Sequence, residues 1–350
     1  MNENHIEKIV TESGIEIYAM HLRVLDTPIT GRVHVIPELH TVIDTGGPSA
    51  LARQDLFNGF QQLRYDCGVR FTPADVRHVL LTHGHKDHIG GLPLFSHPKC
   101  QTYLHFLDRK MVCEAQSFAD LALRKLDRFF RISRTPEEDK PLLIETFQSM
   151  WLRSSCYPID HLIADRDKIG PFRVVHTPGH TRGQVCFLLD NVLFSGDQMM
   201  SQTITPPLWP YCFSRHQGYR NYIRSMERLK QTVDRLPIDF VLPSHEETIT
   251  NPVERLQTIK KAEIRRFKRI LDYLQIGNPT DSLEIRALSA PEGIIRSASE
   301  FTKRFYIIPT DHFSVINLFD AASRLEFIAQ QRHHPMSIML GEILHPGKVA

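Results

Sequence analysis

The pattern of apolar and polar residues predicts a series of short strands in the first half of the chain. Residues 14–24 and 32–36 alternate apolar and polar positions, as half-buried strands do. Residues 40–45 predict a third strand, which ends in Asp44 and Thr45 and is followed by two glycines. Val79–Leu81 is a fourth, and it leads directly into a loop rich in histidine. We therefore expect buried strands that deliver polar residues to turns.

Apolar residues at helical spacing follow these strands. Residues 48–67 predict a helix that stops at Gly68. Residues 103–150 carry a helical pattern, with a second helix after Pro141. This segment is long for a connection between two strands. Its phenylalanines leave two alternatives open, a lid over a site or ordinary core packing. A further helix is expected over residues 219–236.

Three later strands end in a single polar residue of the kind that binds metal. A lone histidine or aspartate at a strand end is more often a cap or a turn residue, so their recurrence is the signal. Another strand, residues 185–189, has no such residue after it. The three runs are residues 172–177 before His180, 192–194 before Asp197, and 240–242 before His245.

The loop THGHKDHIGG, residues 82–91, places four potential ligands within six residues. Imidazole and carboxylate are ligands that zinc and similar divalent ions prefer. His83 and His85 fall on one side of an extended backbone. Asp87 and His88 follow a turn and can face a second point close by. One short loop could thus supply ligands to two metal ions.

After residue 252 the sequence pattern changes from alternating strands and helices to helices alone. Apolar residues from 256 to 274 lie on one helical face, and basic residues between 260 and 269 occupy the other faces. Asp281 and Glu284 have the spacing of a helix-capping pair, and residues 311–331 also predict a helix. We therefore expect one domain over 1–255, which contains the candidate metal ligands and a helical insertion at about 105–150, and a helical extension over 256–350.

Composition limits the class of protein without naming a function. The chain has 350 residues, 41% of them hydrophobic and 23% charged, which is typical of globular proteins. A net charge of +2 gives no argument for a nucleic-acid partner. No apolar run is long enough to span a membrane. The six cysteines are widely spaced and the first twenty residues lack an apolar signal core, so we expect a cytoplasmic location.

At these positions the sequence resembles the metallo-β-lactamase superfamily of metallohydrolases. The match is in the family's order and spans residues from about 15 to 250. It implies a four-layer αββα sandwich, with two mixed sheets face to face and a two-metal site at one edge. The nearest likeness is to the glyoxalase II-like branch, among members with a helical C-terminal extension. The matching positions are Asp44, Thr82 to His88, His180, Asp197 and His245.

The resemblance also implies a role for each of these residues. Asp44 would orient ligands without binding metal itself. Asp87 and Asp197 are the candidate catalytic carboxylates. The implied ligands are His83, His85 and His180 for one metal, Asp87, His88 and His245 for the second, and Asp197 as the bridge between them.

At two positions this sequence differs from other branches of the superfamily, and these differences limit the activities to be expected. Asp197 stands where zinc β-lactamases of the commonest type carry cysteine, so antibiotic hydrolysis is not expected. His85 stands where flavodiiron oxidoreductases have an acid, and no flavin-binding module follows. The resemblance therefore favours hydrolysis over redox chemistry.

The expected cofactors are two divalent ions, zinc in preference to iron or manganese. A hydroxide shared by the ions would attack a thioester, ester or lactone carbonyl. An alternative is a phosphodiesterase or ribonuclease that uses the same site, and another is a non-catalytic metal-binding sensor. Turnover on a substrate panel would separate the first two, and undetectable metal would favour the sensor.

The sequence says less about partners. Trp209, Tyr211 and His216 follow Asp197 and are candidate substrate contacts, although packing beneath a proline-rich loop would explain them at least as well. The basic residues of 260–269 could meet phosphate groups, but such runs are usually solvated helix faces. We expect a small acyl or ester substrate and no membrane partner. Nucleic acid and a homodimer remain open alternatives.

Overall fold

The computed structural model describes residues 5–23, 30–132, 135–151, 156–205, 207, 217–273, 320, 323, 324 and 327. Within these ranges the chain forms twelve strands and seven α-helices. The strands are β1 Ile6–Val10, β2 Glu16–Arg23, β3 Thr30–Ile36, β4 Thr41–Ile43, β5 His78–Leu80, β6 Gln101–His105, β7 His161–Ile163, β8 Lys168–Ile169, β9 Phe172–His176, β10 Val185–Leu189, β11 Val192–Gly196 and β12 Phe240–Pro243. The helices are α1 Ala50–Tyr65, α2 Lys86–Ile89, α3 Arg109–Cys113, α4 Ala115–Ile132, α5 Lys140–Trp151, α6 Tyr219–Arg235 and α7 Pro252–Tyr273.

The strands form two mixed sheets. The first contains β1 to β7 in sequence order, antiparallel up to β4 and parallel from β4 to β7. The second has the order β12-β11-β10-β9-β8, and only its β11–β12 pair is parallel. Helices cover the outer faces of both sheets. The predicted four-layer αββα sandwich is therefore confirmed.

Three apolar layers hold the sandwich together, because alternate residues of each strand face opposite sides. Val33 and Val35 of β3 face α1, whereas Ile36 faces the second sheet. The layer between the sheets includes Ile17, Ile43, Leu80, Phe187 and Phe194. The outer layer of the second sheet includes Leu229 and Val233 of α6 and Leu256 and Ile259 of α7.

The prediction of helix from residue 103 onward is wrong at its start. Residues 101–105 form β6, which pairs in parallel with β5. Pairing with a neighbouring strand decides this segment, and apolar spacing alone does not show it. The helix predicted over 48–67 begins at Ala50, where the Ser49 side chain accepts a hydrogen bond from the backbone N–H of Ala52. Asp281, Glu284 and most of residues 311–331 lie outside the described residues.

A buried ion cluster connects the described C-terminal residues to α6 and α7. The Arg324 side chain is fully buried and donates hydrogen bonds to the carboxylates of Glu263 and Asp320. Tyr219, the first residue of α6, donates its hydroxyl to Glu263 at 2.9 Å. The division of the chain at residue 255 stays a prediction. No helix in the described ranges is long and apolar enough to cross a membrane.

A histidine buried between the sheets predicts pH-dependent stability. His34 is 1% exposed, and neither ring nitrogen has a hydrogen-bond partner among the described residues. Burial lowers its pKa well below the ordinary 6.5, and nearby Arg32 and His21 lower it further. In the unfolded chain the imidazole regains a pKa of about 6.5. Below that pH the unfolded state therefore binds a proton that the folded state excludes, and stability is lost as the pH falls.

We expect this one group to lower the free energy of unfolding by about 1.4 kcal/mol for each pH unit below about 6.5. His34→Leu removes the titration and should give a shallower slope between pH 6.5 and 5. Urea unfolding of both metal-free proteins across that range measures the difference. Parallel slopes would contradict the prediction.

Candidate metal centre

The predicted site residues lie at the carboxyl ends of strands from both sheets. Asp44 follows β4, and His83 comes three residues after β5. His180, Asp197 and His245 follow β9, β11 and β12. The two sheets meet here through backbone hydrogen bonds, among them Val185 N–H to Thr82 O at 2.9 Å. Sheet packing therefore brings together side chains that are far apart in the sequence.

Two glycines allow the histidine loop to pack closely on the turn after β4. A Cβ added at Gly90 would come 2.1 Å from the backbone nitrogen of Pro48. One added at Gly91 would come 2.1 Å from the carbonyl oxygen of Thr45. Thr45 also donates both its N–H and its hydroxyl to the carbonyl of His88. This packing sets the position of the short helix α2, which carries Asp87 and His88.

Three histidines form one group of converging ring nitrogens. His83 Nε2 and His180 Nε2 each lie 3.0 Å from His85 Nδ1. All three side chains are buried. His83 and His85 come from the first sheet, and His180 comes from the second. The group is the one that the resemblance implied for a first metal.

A second group contains Asp87, His88 and His245. Nε2 of His88 lies 3.7 Å and Nε2 of His245 lies 3.5 Å from Asp87 Oδ2. These ligand-type atoms all lie within 4.8 Å of one another. The group is more open than the first, because the side chains of Asp87 and His245 are 19% and 13% exposed.

Asp197 lies between the two groups and faces both. Its Oδ2 is 3.3 Å from His180 Nε2 and 4.0 Å from His83 Nε2. Its Oδ1 is 3.5 Å from His88 Nε2 and 3.6 Å from His245 Nε2. Each carboxylate oxygen is thus directed at a different group. Such a carboxylate is arranged as a bridge.

The spacing of these atoms fits a divalent ion. Zinc binds imidazole and carboxylate at about 2.0–2.2 Å, so the ligand atoms of a tetrahedral site lie roughly 3.3–3.6 Å apart. Several separations in the cluster are close to this value, and they are longer than a strong hydrogen bond between an imidazolium and a carboxylate. His88 Nε2 and Asp197 Oδ1 are buried without a hydrogen-bond partner in the described part of the chain. A metal ion would satisfy both atoms.

Electrostatics also suits metal binding at the first group. Burial lowers the pKa of His83 well below 6.5, and the neighbouring His88 and His85 lower it further. Burial and then His180 lower the pKa of His85 to about 3. Both imidazoles are therefore neutral at pH 7. Neutral imidazole is the form that binds metal.

In the second group the histidine pKa values are raised instead of lowered. Although burial alone would lower it, Asp197 and Asp87 raise the pKa of His88 well above 6.5. Burial is likewise outweighed at His245, whose pKa Asp197 and Asp87 raise to about 9. In turn, His88 and His245 outweigh burial and hold the pKa of Asp197 well below 3.8. Protons on His88 and His245 offset the carboxylates when no metal is present, and these protons must leave when metal binds.

Asp44 lies buried behind the cluster of ligand-type side chains and bonds to the loops that carry them. Its backbone has φ = 56°, a left-handed conformation that aspartate and asparagine tolerate better than most residues. Its carboxylate accepts the N–H and hydroxyl of Thr82, the ring N–H of His88 at 2.9 Å and the hydroxyl of Ser244 at 2.7 Å. Asp44 therefore connects two ligand-bearing loops, residues 82–91 and the loop of Ser244 and His245. These contacts are the ones that the orienting role implied by the resemblance requires, and a simple turn residue would not need them.

Hydrogen bonds to the remote ring nitrogens fix the direction of three imidazoles. His83 Nδ1 lies 3.1 Å from the Thr82 hydroxyl, and His245 Nδ1 donates to the carbonyl of Thr30 at 2.8 Å. His88 Nδ1 donates to Asp44. In each ring Nε2 is then the nitrogen directed at the cluster.

The loop after Asp197 is held by residues that follow His245. Glu246 accepts the backbone N–H groups of Gln202 at 2.6 Å and Thr203 at 3.0 Å. Arg255 donates to the carbonyls of Met200 and Thr203, both at 2.6 Å. This loop leads towards the predicted substrate contacts. Trp209, Tyr211 and His216 themselves lie outside the described residues.

Sequence reasoning assigned no role to four polar residues near the centre. Thr82 and Ser244 each immediately precede a predicted ligand, and a hydroxyl at that position was the available signal. Asp108 accepts hydrogen bonds from Gly84 and from Thr181, the residue after His180. The signal at Asp108 was another acidic residue just after a strand, but apolar spacing places residues 103–105 in a helix.

The chain is an α/β protein with a four-layer sandwich, and its histidines and aspartates gather at the carboxyl ends of the strands. Together, this fold and this cluster define a class of α/β proteins with a candidate metal site at the sheet edge. The model of the metallo-beta-lactamase superfamily matches residues 33–245, more than half of the chain. The chain belongs to this superfamily.

Two relatives and one solved structure show how far the similarity extends. The Drosophila melanogaster protein "Beta-lactamase-like protein 2 homolog" is 23% identical over 258 residues, which cover 68% of this chain and 74% of the fly protein. Human "Acyl-coenzyme A thioesterase MBLAC2" is 28% identical over 170 residues, 48% of this chain and 55% of the human protein. A metallo-beta-lactamase family protein from Thermus thermophilus shares the fold, with a TM-score of 0.66, 20% identity, and coverage of 90% of this chain and 93% of that one.

Proposed function

We propose that this protein is a binuclear metal-dependent hydrolase that cleaves a thioester, ester or lactone bond in a small acyl substrate. The observation that carries the proposal is Asp197, whose two oxygens face two separate groups of ligand-type side chains. Membership of a superfamily that consists mostly of hydrolases supports the reaction class. Similarity to the human protein named as an acyl-coenzyme A thioesterase supports a carbonyl substrate.

In this proposal His83, His85 and His180 would hold one ion, Asp87, His88 and His245 would hold the other, and Asp197 would serve both. The donors are imidazole nitrogens and carboxylate oxygens, without a thiolate, and we favour zinc over iron or manganese. The ions would supply an acidified water and polarise the substrate carbonyl. The chain's own part is to hold the ligands apart at the correct spacing and to move the proton.

We assign the proton transfer to Asp197. In the metal-free protein burial opposes its ionisation, but protonated His88 and His245 hold its pKa well below 3.8, so the carboxylate is ionised at neutral pH. Bound metal cations would favour the ionised form in their place. An ionised carboxylate at this position can accept a proton from the attacking water and deliver it to the leaving group. Asp87 shares the more exposed side of the centre with His245. We place the approach of the substrate on that side, with Trp209, Tyr211 and His216 as its proposed contacts.

A substrate panel tests the proposal. Zinc-loaded protein would be assayed with an acyl-coenzyme A thioester, a lactone and a bis-aryl phosphodiester, with Asp197→Ala as the blank. We expect the carbonyl substrates to be cleaved faster than the diester.

A preference for the diester would overturn the proposed substrate class. It would turn attention to the basic residues of 260–269 as contacts for nucleic acid. Absence of both turnover and bound metal would overturn the enzyme assignment and favour a binding protein that retained the fold.

A further inference from the structure

We infer that Asp108 is a positioning residue that sets the spacing of His83, His85 and His180, an inference that rests on the proposed metal-binding role of these histidines. Asp108 is 1% exposed and lies directly before α3. An aspartate at this position usually caps its own helix. Asp108 makes no capping hydrogen bond to α3. Its carboxylate accepts hydrogen bonds from other loops instead.

The carboxylate connects two loops that come from different sheets. Oδ2 accepts the backbone N–H of Gly84 at 3.1 Å and the hydroxyl of Thr181 at 2.7 Å. Oδ1 accepts the backbone N–H of Gly183 at 2.8 Å. Gly84 lies between His83 and His85, and Thr181 follows His180. One side chain therefore bonds to the backbone of both loops that supply the first group of histidines.

Two glycines make room for this contact. A Cβ added at Gly183 would lie 2.6 Å from Cγ of Asp108. One added at Gly84 would lie 2.7 Å from the Met111 side chain and 3.5 Å from Cβ of Asp108. Because the backbones approach so closely, a longer glutamate would not fit without displacing a loop. The position requires the length of aspartate.

The contact bears on metal binding because the three ring nitrogens must stay close together. The Nε2 atoms of His83 and His180 each lie 3.0 Å from His85 Nδ1, with His180 reaching in from the second sheet. Bringing three imidazoles together has a free-energy cost, because the side chains lose conformational entropy and their ring nitrogens lose contact with water. A rigid scaffold places the rings during folding, so metal binding does not carry this cost. Residues that support ligands in this way typically change metal affinity by about 10–100-fold when they are replaced.

The direct test is Asp108→Asn. Asparagine keeps the shape but has one acceptor oxygen, so its amide group faces either Gly84 N–H or Gly183 N–H and leaves that donor without an acceptor. We expect zinc or cobalt to bind about 10–100-fold more weakly, measured by competition with a chromophoric chelator. Asp55→Asn is the matched control, because Asp55 is a buried carboxylate of α1 that pairs with Arg23, away from the ligand loops.

A second pair of variants keeps the test informative if Asp108→Asn folds poorly. Thr181→Val removes the hydroxyl that Asp108 accepts, and Thr181→Ser retains it. We expect Val to weaken metal binding and Ser to restore it to the wild-type value. Thermal unfolding of the metal-free proteins shows whether each variant is folded.

The outcomes separate this inference from the proposed function. Wild-type protein that binds metal, together with unchanged affinity in Asp108→Asn and Thr181→Val, would overturn the positioning role and leave the hydrolase proposal standing. Equal losses in Asp108→Asn and Asp55→Asn would also overturn it, as a general effect on stability. Wild-type protein that binds no metal would overturn both.

Discussion

Replacing Asp197 with alanine is expected to remove bound metal and hydrolytic activity together. One oxygen of this carboxylate faces His180 and the other faces His88 and His245, so alanine deprives both groups of their shared acceptor. It also removes the proposed proton carrier, a role that alone contributes about 10²–10⁴-fold to a rate. We therefore expect turnover to fall by at least about 10²-fold.

Metal content by elemental analysis and turnover on the preferred substrate would be measured on the same preparation. Asp197→Asn is the more conservative companion, because its amide can bind one ion through oxygen but cannot carry the proton. Asp190→Asn is a suitable control, since Asp190 lies in the turn between β10 and β11 and accepts the N–H of Ser13. Asp197→Ala with full metal content and full turnover would refute the bridging and proton-transfer roles.

Asp44→Asn is expected to have the second largest effect, because this residue connects both loops that carry the ligands of the second group. Asp44 and His88 are each 1% exposed and lie 2.9 Å apart, and the same carboxylate accepts from Thr82 and Ser244. Removing one partner of a buried charged pair costs about 3–5 kcal/mol. Asparagine tolerates the left-handed backbone at φ = 56°, so the substitution isolates the side-chain contribution from backbone strain.

We expect the free energy of unfolding of the metal-free protein to fall by about 3–5 kcal/mol and metal affinity to fall by about 10–100-fold. Denaturant unfolding and chelator competition measure the two quantities. The control Asp55→Asn breaks an ion pair whose Arg23 partner is 44% exposed. We expect it to cost about 1 kcal/mol or less and to leave metal affinity unchanged. Similar values for the two variants would show that Asp44 has no particular link to the centre.

The strands of the two sheets around the candidate centre were predictable because most of their residues are buried. Residues 185–189 were predicted as a strand with the bounds that the structure shows, and all five are buried. The strands that prediction missed include β1 and β7, which lie at the two edges of the first sheet. Each of them buries a single residue, so their sequences carry little periodic signal. From residue 103 onward the apolar spacing favours a helix. The pairing of β6 with β5 is a contact between distant residues, so the local spacing does not reveal it.

The sequence by itself determined the chemistry of the candidate centre. Histidines and aspartates follow the predicted strands in a fixed order, and their residue types already indicate a divalent metal. This much is local information, because strand periodicity and the polar residue that ends a strand can be read within a few positions.

The tertiary structure decided how these residues act together. That Asp197 faces both groups, that Asp44 connects to Ser244 across 200 residues, and that Asp108 turns away from its own helix are consequences of how two sheets pack. Such contacts join residues that share no local pattern. Their geometry depends on the close packing of segments that are far apart in the sequence, and no short stretch of sequence specifies that packing.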